Sequence, residues 1–120
     1  MSTVTAVCKD GKVAIAADTL TMWGSLKESS RYIENHEKIV RVGESYIGCT
    51  GPASVSLMLH EFFAQERSPS ALDSLQEIFR VWKRLHYYFK EEFYLLPQGD
   101  EDTSVESSGF TTLIANASGI

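Results

Sequence analysis

Residues 3–8, TVTAVC, alternate β-branched and small side chains, the spacing of a strand. Asp10-Gly11 follows between Lys9 and Lys12, and Asp-Gly between two apolar runs predicts a two-residue hairpin turn. The return run, Val13-Ala14-Ile15-Ala16-Ala17, is apolar at every position, so it predicts a strand covered on both faces. Asp18 stands at its end. A polar loop is expected over residues 19–35. A second hairpin is expected over residues 38–49, IVRV turning at Gly43-Glu44 into SYIGC. Gly51-Pro52 opens a helix over residues 52–66, with Val55, Met58, Leu59 and Phe62 on one stripe and Leu57 and Phe63 off it. Ser68-Pro69 restarts a helical pattern with Ser68 as its N-cap, and Leu72, Leu75, Phe79, Trp82, His86, Phe89 and Phe93 recur as the apolar stripe of a long amphipathic helix. His86 on that stripe reads as a core or interface histidine rather than a ligand. Leu96-Pro97-Gln98-Gly99 ends the helix. Residues 110–115, FTTLIA, form a last strand.

Two hairpins, two helices and a strand in that order make an α+β layered fold, in one domain over residues 1–120. The last strand either adds to an existing sheet edge or belongs to a domain that continues past Ile120; the abrupt stop after a strand favours the second. The chain has 120 residues, 43% of them hydrophobic and 22% charged, the mix of an ordinary globular domain with its own core. Its net charge of −5, from 16 acidic and 11 basic residues, argues against a nucleic-acid partner. Neither a bilayer-spanning run nor a secretory signal pattern is present, so no membrane partner is expected and the cytoplasm is the expected compartment. Cys8 and Cys49 lack metal-ligand spacing and are expected as two small buried thiols. Asp100-Glu101-Asp102 reads as a solvated loop rather than a cation site. No cofactor and no metal are expected.

The candidate chemistry starts at Ser2. If Met1 is removed, the hydroxyl and a free α-amine share one residue. An α-amine titrating at about 7.7–8.0 serves as a base near neutral pH, and a terminal amine is a known activator of its own residue's hydroxyl. That would account for a chain that runs into a strand directly behind its first residue: a nucleophile at the terminus needs a rigid support. Such a site also needs a cation near the amine, an anion to hold the cation, and a backbone N–H for an oxyanion. Asp18 returns close to Ser2 across the Asp10-Gly11 hairpin, Lys38 opens the third strand, and Gly48 lies just before a helix. Each has a plain structural reading as well: Asp18 capping a turn, Lys38 a surface residue, Gly48 allowing close packing. Thr3 and Thr21 read as structural or substrate-backbone neighbours, and Tyr46 as a candidate pocket residue.

The ordered set resembles the N-terminal part of a proteasome-type β-subunit, the smaller bacterial homologues above all. The stretches that carry the resemblance are STVTAVCKDGKVAIAAD, the Gly24 a short step beyond, EKIVRVGESYIGCTG and the helix that follows. The resemblance implies a four-layer αββα sandwich of the N-terminal-nucleophile hydrolase class, incomplete at its C-terminus. It implies Ser2 in place of the family's N-terminal threonine, Asp18 and Lys38 as its acid and lysine, and the Gly48 N–H as its oxyanion donor. It also implies a peptidase acting on peptides or unfolded protein within a homo-oligomeric ring, with an ATPase unfoldase as a candidate partner.

Three departures stand beside it. The nucleophile is serine, without the methyl that restricts a threonine rotamer. The loop between Asp18 and Lys38 is longer than in common relatives, which leaves Lys27 as the fallback cation. The family's later site residues have no counterpart here. Two other functions remain open at this stage: a non-catalytic ring or scaffold subunit, and an N-terminal-nucleophile amidase acting on a small molecule.

Overall fold

A computed structural model describes residues 2–23, 25–29, 31, 37–66, 70–93 and 109–120. β1 (Val4–Lys9) and β2 (Lys12–Ala17) form the first hairpin, in register from Val4↔Ala17 to Lys9↔Lys12. Both turn residues take the left-handed backbone the Asp-Gly pair favours, Asp10 at φ 51° and Gly11 at φ 70°. The loop expected after Asp18 contains a short hairpin of its own, β3 (Thr21–Trp23) paired with β4 (Leu26–Glu28). Three-residue strands are too short to leave a period-2 signature in the sequence. The Gly24 that entered the resemblance lies outside the described residues.

β5 (Ile39–Val42), β6 (Ser45–Thr50) and β7 (Thr111–Ala115) form an antiparallel sheet with β6 in the middle. The last strand therefore has its partner: β7 pairs with β6 from Tyr46↔Ala115 to Thr50↔Thr111. Alternation along β6 sends Ser45, Ile47 and Cys49 to one face and Tyr46, Gly48 and Thr50 to the other. On the first face Val40, Val42, Ile47 and Cys49 join Val55, Met58, Leu59 and Phe62 of helix α1 (Ser54–Gln65) and Val81, Leu85 and Phe89 of helix α2 (Leu75–Phe93) in one core.

The α1 stripe is the one the sequence predicts. The α2 stripe is rotated from it. Val81, Leu85 and Phe89 are buried, whereas Leu75 is 86% exposed and Phe79 70% exposed. The apolar sector of α2 is broad enough to hold two overlapping stripes, and periodicity alone cannot choose between them. Packing on α1 chooses. Arg84 reaches Glu66 at 2.7 Å and the Gln65 side-chain amide donates to the Tyr88 hydroxyl at 3.3 Å, which sets the rotation of α2 on α1.

The start of α2 also differs from expectation. Ser68-Pro69 lies outside the described residues, and the helix begins at Leu75 with Ser74 accepting from the Glu77 N–H at 3.3 Å. Ser74-Leu75-Gln76-Glu77 is the S-x-x-E signature of a capping box. Leu72, ahead of the helix, is buried at φ 52°.

The four-layer αββα sandwich is not what these residues form. They make three small antiparallel sheets and two helices. The helices cover one face of β5-β6-β7, and the β1-β2 hairpin packs on the other through Val4 and Ile15, which lie against Gly48. The outer face of that hairpin carries Thr5, Val7, Ala14 and Ala16, all exposed, with no helix layer over it among the described residues. β2 is thus covered on one face, not two. Its alanines make it look apolar throughout, yet methyl groups that small cost little in water.

The cysteine expectation holds for Cys49, which is buried, and fails for Cys8, which is exposed near the hairpin tip. The acidic stretch at residues 100–102 and the expected helix end at 96–99 lie outside the described residues. No helix among the described residues is long and apolar enough to cross a membrane.

Leu85→Ala should lower the unfolding free energy by about 2–5 kcal/mol, as a cavity in a packed core does. Phe79→Ala should change it by less than about 0.5 kcal/mol. Urea titrations of the two variants measure this directly, and equal losses would contradict the rotation of α2 described above.

Candidate active site

Asp18 follows the last residue of β2, where the chain leaves the hairpin. Its backbone N–H continues the ladder by donating to the Thr3 carbonyl at 3.1 Å. The Thr3 N–H returns the bond to the Asp18 side chain, at Oδ2. Oδ1 accepts from the Leu20 N–H at 2.9 Å and from the Lys38 ammonium at 2.5 Å. Lys38 also donates to the Leu20 carbonyl at 2.6 Å. Every partner of the carboxylate is thus a donor fixed by local backbone or by the second hairpin. A turn-capping reading of Asp18 is correct as far as Leu20 and incomplete beyond it.

Lys38 is brought in by β-pairing. It immediately precedes β5, and its carbonyl accepts from the Cys49 N–H at 2.9 Å, which extends the β5-β6 ladder by one rung. Its side chain is 12% exposed and that of Asp18 32% exposed, so the pair is largely removed from water on the lysine side. Such a pair is held more firmly than a surface ion pair. The Lys38 hydrogen bond brings the Asp18 pKa down from 3.8 to about 2, against the opposing effect of burial, with the Thr3 and Leu20 N–H groups adding to it. Burial pushes the Cys49 thiol up, with the Lys38 charge opposing. Lys27, the alternative cation, sits exposed in β4 opposite Met22.

Ser2 is half-buried and one peptide bond from the Thr3 N–H that binds Asp18. The candidate nucleophile and the ion pair therefore share one corner of the molecule. Met1 lies outside the described residues. Gly48 is on β6, opposite Ile39 on one side and Leu113 on the other. A Cβ there would run into the Val4 side chain and come within 3.2 Å of Ile15 Cδ1. The close-packing reading of Gly48 is therefore correct in kind, but what it admits is the hairpin rather than a helix. Tyr46, on the same face of β6, is 39% exposed with the Arg41 guanidinium 5.7 Å above its ring. Thr3 contributes backbone alone to the Asp18 network, and Thr21 begins β3 opposite Glu28. The Leu20 carbonyl, which binds Lys38, left no sign in the sequence, because a backbone acceptor is independent of residue type.

No protein-family model and no curated protein sequence matches the chain. Two solved structures of Thiobacillus denitrificans BPH are similar to it. BPH in complex with epoxomicin aligns with a TM-score of 0.84, and BPH with one of 0.86. Each alignment has 50% sequence identity and covers 97% of this chain. The chain spans 59% of the length of BPH.

Two expectations follow from the geometry. Because the Asp18 pKa is lowered on folding, its ion pair stabilises the native state fully above about pH 4 and loses that contribution as pH falls through about 2. Asp18→Asn should therefore be less stable than the parent at neutral pH, with the gap closing in that window. Thermal melts at stepped pH would reveal it, and parallel acid limbs would count against it. Gly48→Ala should cost about 1–3 kcal/mol by forcing the β1-β2 hairpin off β6. Its urea midpoint measures that loss, and a midpoint equal to the parent's would mean the hairpin does not seat on Gly48.

Proposed function

We propose that the chain is the N-terminal part of a proteasome-like peptidase of the N-terminal-nucleophile class, with Ser2 as nucleophile once Met1 is removed. The observation that carries this reading is the Asp18–Lys38 ion pair at 2.5 Å, hydrogen-bonded to the backbone of the residue next to Ser2. A solvated pair of surface residues would have no reason to be anchored to the peptide that joins Ser2 to Thr3. The likeness to BPH, which forms a complex with epoxomicin, supports the same reading.

In the proposed reaction the Ser2 hydroxyl oxygen attacks a peptide carbonyl carbon and its proton passes to the Ser2 α-amine. The amine then gives that proton to the leaving nitrogen as the C–N bond breaks, which leaves an ester on Ser2. Water attacks the ester and regenerates the hydroxyl. Lys38 supplies positive charge beside the amine, favouring its unprotonated form and offsetting negative charge that develops on the oxygen. Asp18 positions Lys38. Gly48, which the resemblance implied as oxyanion donor, is not placed for that role, because it lies mid-strand between β5 and β7 and its N–H points into the ladder. In this reading the substrate is a peptide or unfolded protein, the assembly is a homo-oligomeric ring, an ATPase unfoldase is the candidate partner and the cytoplasm is the compartment.

Intact-mass measurement after exposure to epoxomicin, and separately to a simple peptide epoxyketone, tests the nucleophile, since the epoxyketone group needs a hydroxyl and a free amine on one residue. The expected result is loss of Met1 and a single adduct on Ser2. Ser2→Thr should keep the adduct and Ser2→Ala should abolish it. Loss of Met1 without an adduct would favour a non-catalytic ring subunit, and retention of Met1 would remove the nucleophile altogether.

A further inference from the structure

Two contacts set where Ser2 lies. Thr3, the residue behind it, is bonded to Asp18 twice: its carbonyl accepts from the Asp18 N–H and its own N–H donates to Asp18 Oδ2. Val4, the next residue, is held by packing. Gly48 of β6 has no side chain, and the space over its backbone is filled by Val4 Cγ1, with Ile15 Cδ1 beside it. A Cβ on Gly48 would overlap Val4 Cγ1, and would lie 3.2 Å from Ile15 Cδ1 and 3.5 Å from Val4 Cβ. Gly48 is not among the glycines at positive φ, so the close approach of Val4 is what requires glycine there. Ser2, Val4 and Ala6 are half-buried, whereas Thr3, Thr5 and Val7 are exposed. That alternation places Ser2 on the same face of the strand line as Val4, about 7 Å further along it, turned to the β5-β6-β7 sheet.

We propose that Val4 is a positioning residue for the Ser2 chemistry: its seat on the bare backbone of Gly48 sets how deep Ser2 sits between the β1-β2 hairpin and the three-stranded sheet. This rests on the reading of Ser2 as nucleophile. Asp18 fixes Thr3 within the hairpin, and Lys38 ties Asp18 to the entry of β5. One ionic joint leaves a two-stranded hairpin free to rock about it. The Val4–Gly48 contact supplies a second point, two residues from Ser2, and opposes that rocking. Valine suits the task, because its branched Cβ restricts χ1 and makes the seat stiff. The consequence for rate is large, since a displacement of about 1 Å at a reacting group costs on the order of a hundredfold. The contact also has a definite size rule. Val4→Ala empties the seat and Gly48→Ala overfills it. Made together, the new Cβ at position 48 enters the space that Val4 Cγ1 vacates, at ordinary contact from the Cβ of residue 4 and against a terminal methyl of Ile15 that can turn aside.

The test is that size swap, read in two ways. Adduct formation with epoxomicin is followed by intact mass over a range of concentrations, which separates the inactivation rate from binding. Hydrogen exchange at the Thr3 N–H reports the seat without any chemistry at Ser2. Val4→Ala and Gly48→Ala should each slow inactivation about tenfold or more, with the half-saturating concentration within about twofold of the parent's. Each should also speed Thr3 exchange about tenfold. The double variant should return to within about threefold of the parent in both readouts. Leu85→Ala, which weakens the core without touching the seat, serves as the control under conditions where circular dichroism shows every variant folded; it should match the parent in both. The proposal fails if Val4→Ala reacts as fast as the parent, if the double variant is no faster than the slower single one, or if Leu85→Ala is slowed as much as Val4→Ala. A parent that forms no adduct overturns the Ser2 reading instead. Thr3 exchange then decides alone: recovery in the double variant upholds the seat of residue 2 on Gly48, and no recovery overturns it.

Discussion

The Asp18 carboxylate joins the β1-β2 hairpin to the entry of the β5-β6-β7 sheet. One oxygen takes the Thr3 N–H at the start of β1, and the other takes the Leu20 N–H and the Lys38 ammonium. Those partners belong to the first hairpin, to the turn that leaves it and to the entry of the second sheet. The β1-β2 and β5-β6-β7 sheets share no ladder, so this ionic joint and the side-chain packing on Gly48 fix their relative placement. The network is closed on itself: Lys38 also satisfies the Leu20 carbonyl, so removing either charged partner leaves polar groups of the other unpaired. The same closure holds the residue beside Ser2 in place, and with it the corner where chemistry is proposed.

A second polar network secures the opposite end of the three-stranded sheet. Ser45, fully buried at the start of β6, donates to the Ala71 carbonyl at 2.8 Å. Asn116, just past β7, donates to Ser45 at 3.1 Å and to the Leu72 carbonyl at 2.9 Å. These bonds clamp the approach to α2 onto the sheet and hold Leu72 at a positive φ, a conformation that costs a leucine about 1–2 kcal/mol. Burial of the Leu72 side chain offsets that cost. The start of α2 is therefore set by tertiary contacts together with its Ser74 cap, and the helix is delivered to α1 with Val81, Leu85 and Phe89 inward.

Much of the candidate site was legible because its parts are local. Asp-Gly specifies a tight hairpin, and a tight hairpin must return residue 18 to the neighbourhood of residue 2. Lys38 could be named because a strand signal follows it immediately. The longer loop before it left Lys27 open, and that ambiguity ended only when β5 paired with β6 and carried Lys38 to Asp18. Gly48 was singled out for the right absence of a side chain, yet what fills the space, Val4 and Ile15, comes from another sheet. The β3-β4 hairpin was missed because three-residue strands are below the length at which alternation can be read.

The fold class was the larger correction. A run such as Val13-Ala14-Ile15-Ala16-Ala17 states which side chains are apolar, but not whether a layer lies over each face; β2 has cover on one face alone among the described residues. The same limit applies to α2, whose sequence carries two apolar stripes and whose packing on α1 buries one of them. By itself the sequence determined the turns, the two β-hairpins that flank them, the buried stripe of α1 and the return of Asp18 beside Thr3, because these follow from local backbone preference and short-range spacing. Only the tertiary structure decided which cation meets Asp18, how many layers stack and which face of α2 meets the core, because those depend on pairing and packing between segments distant in the chain.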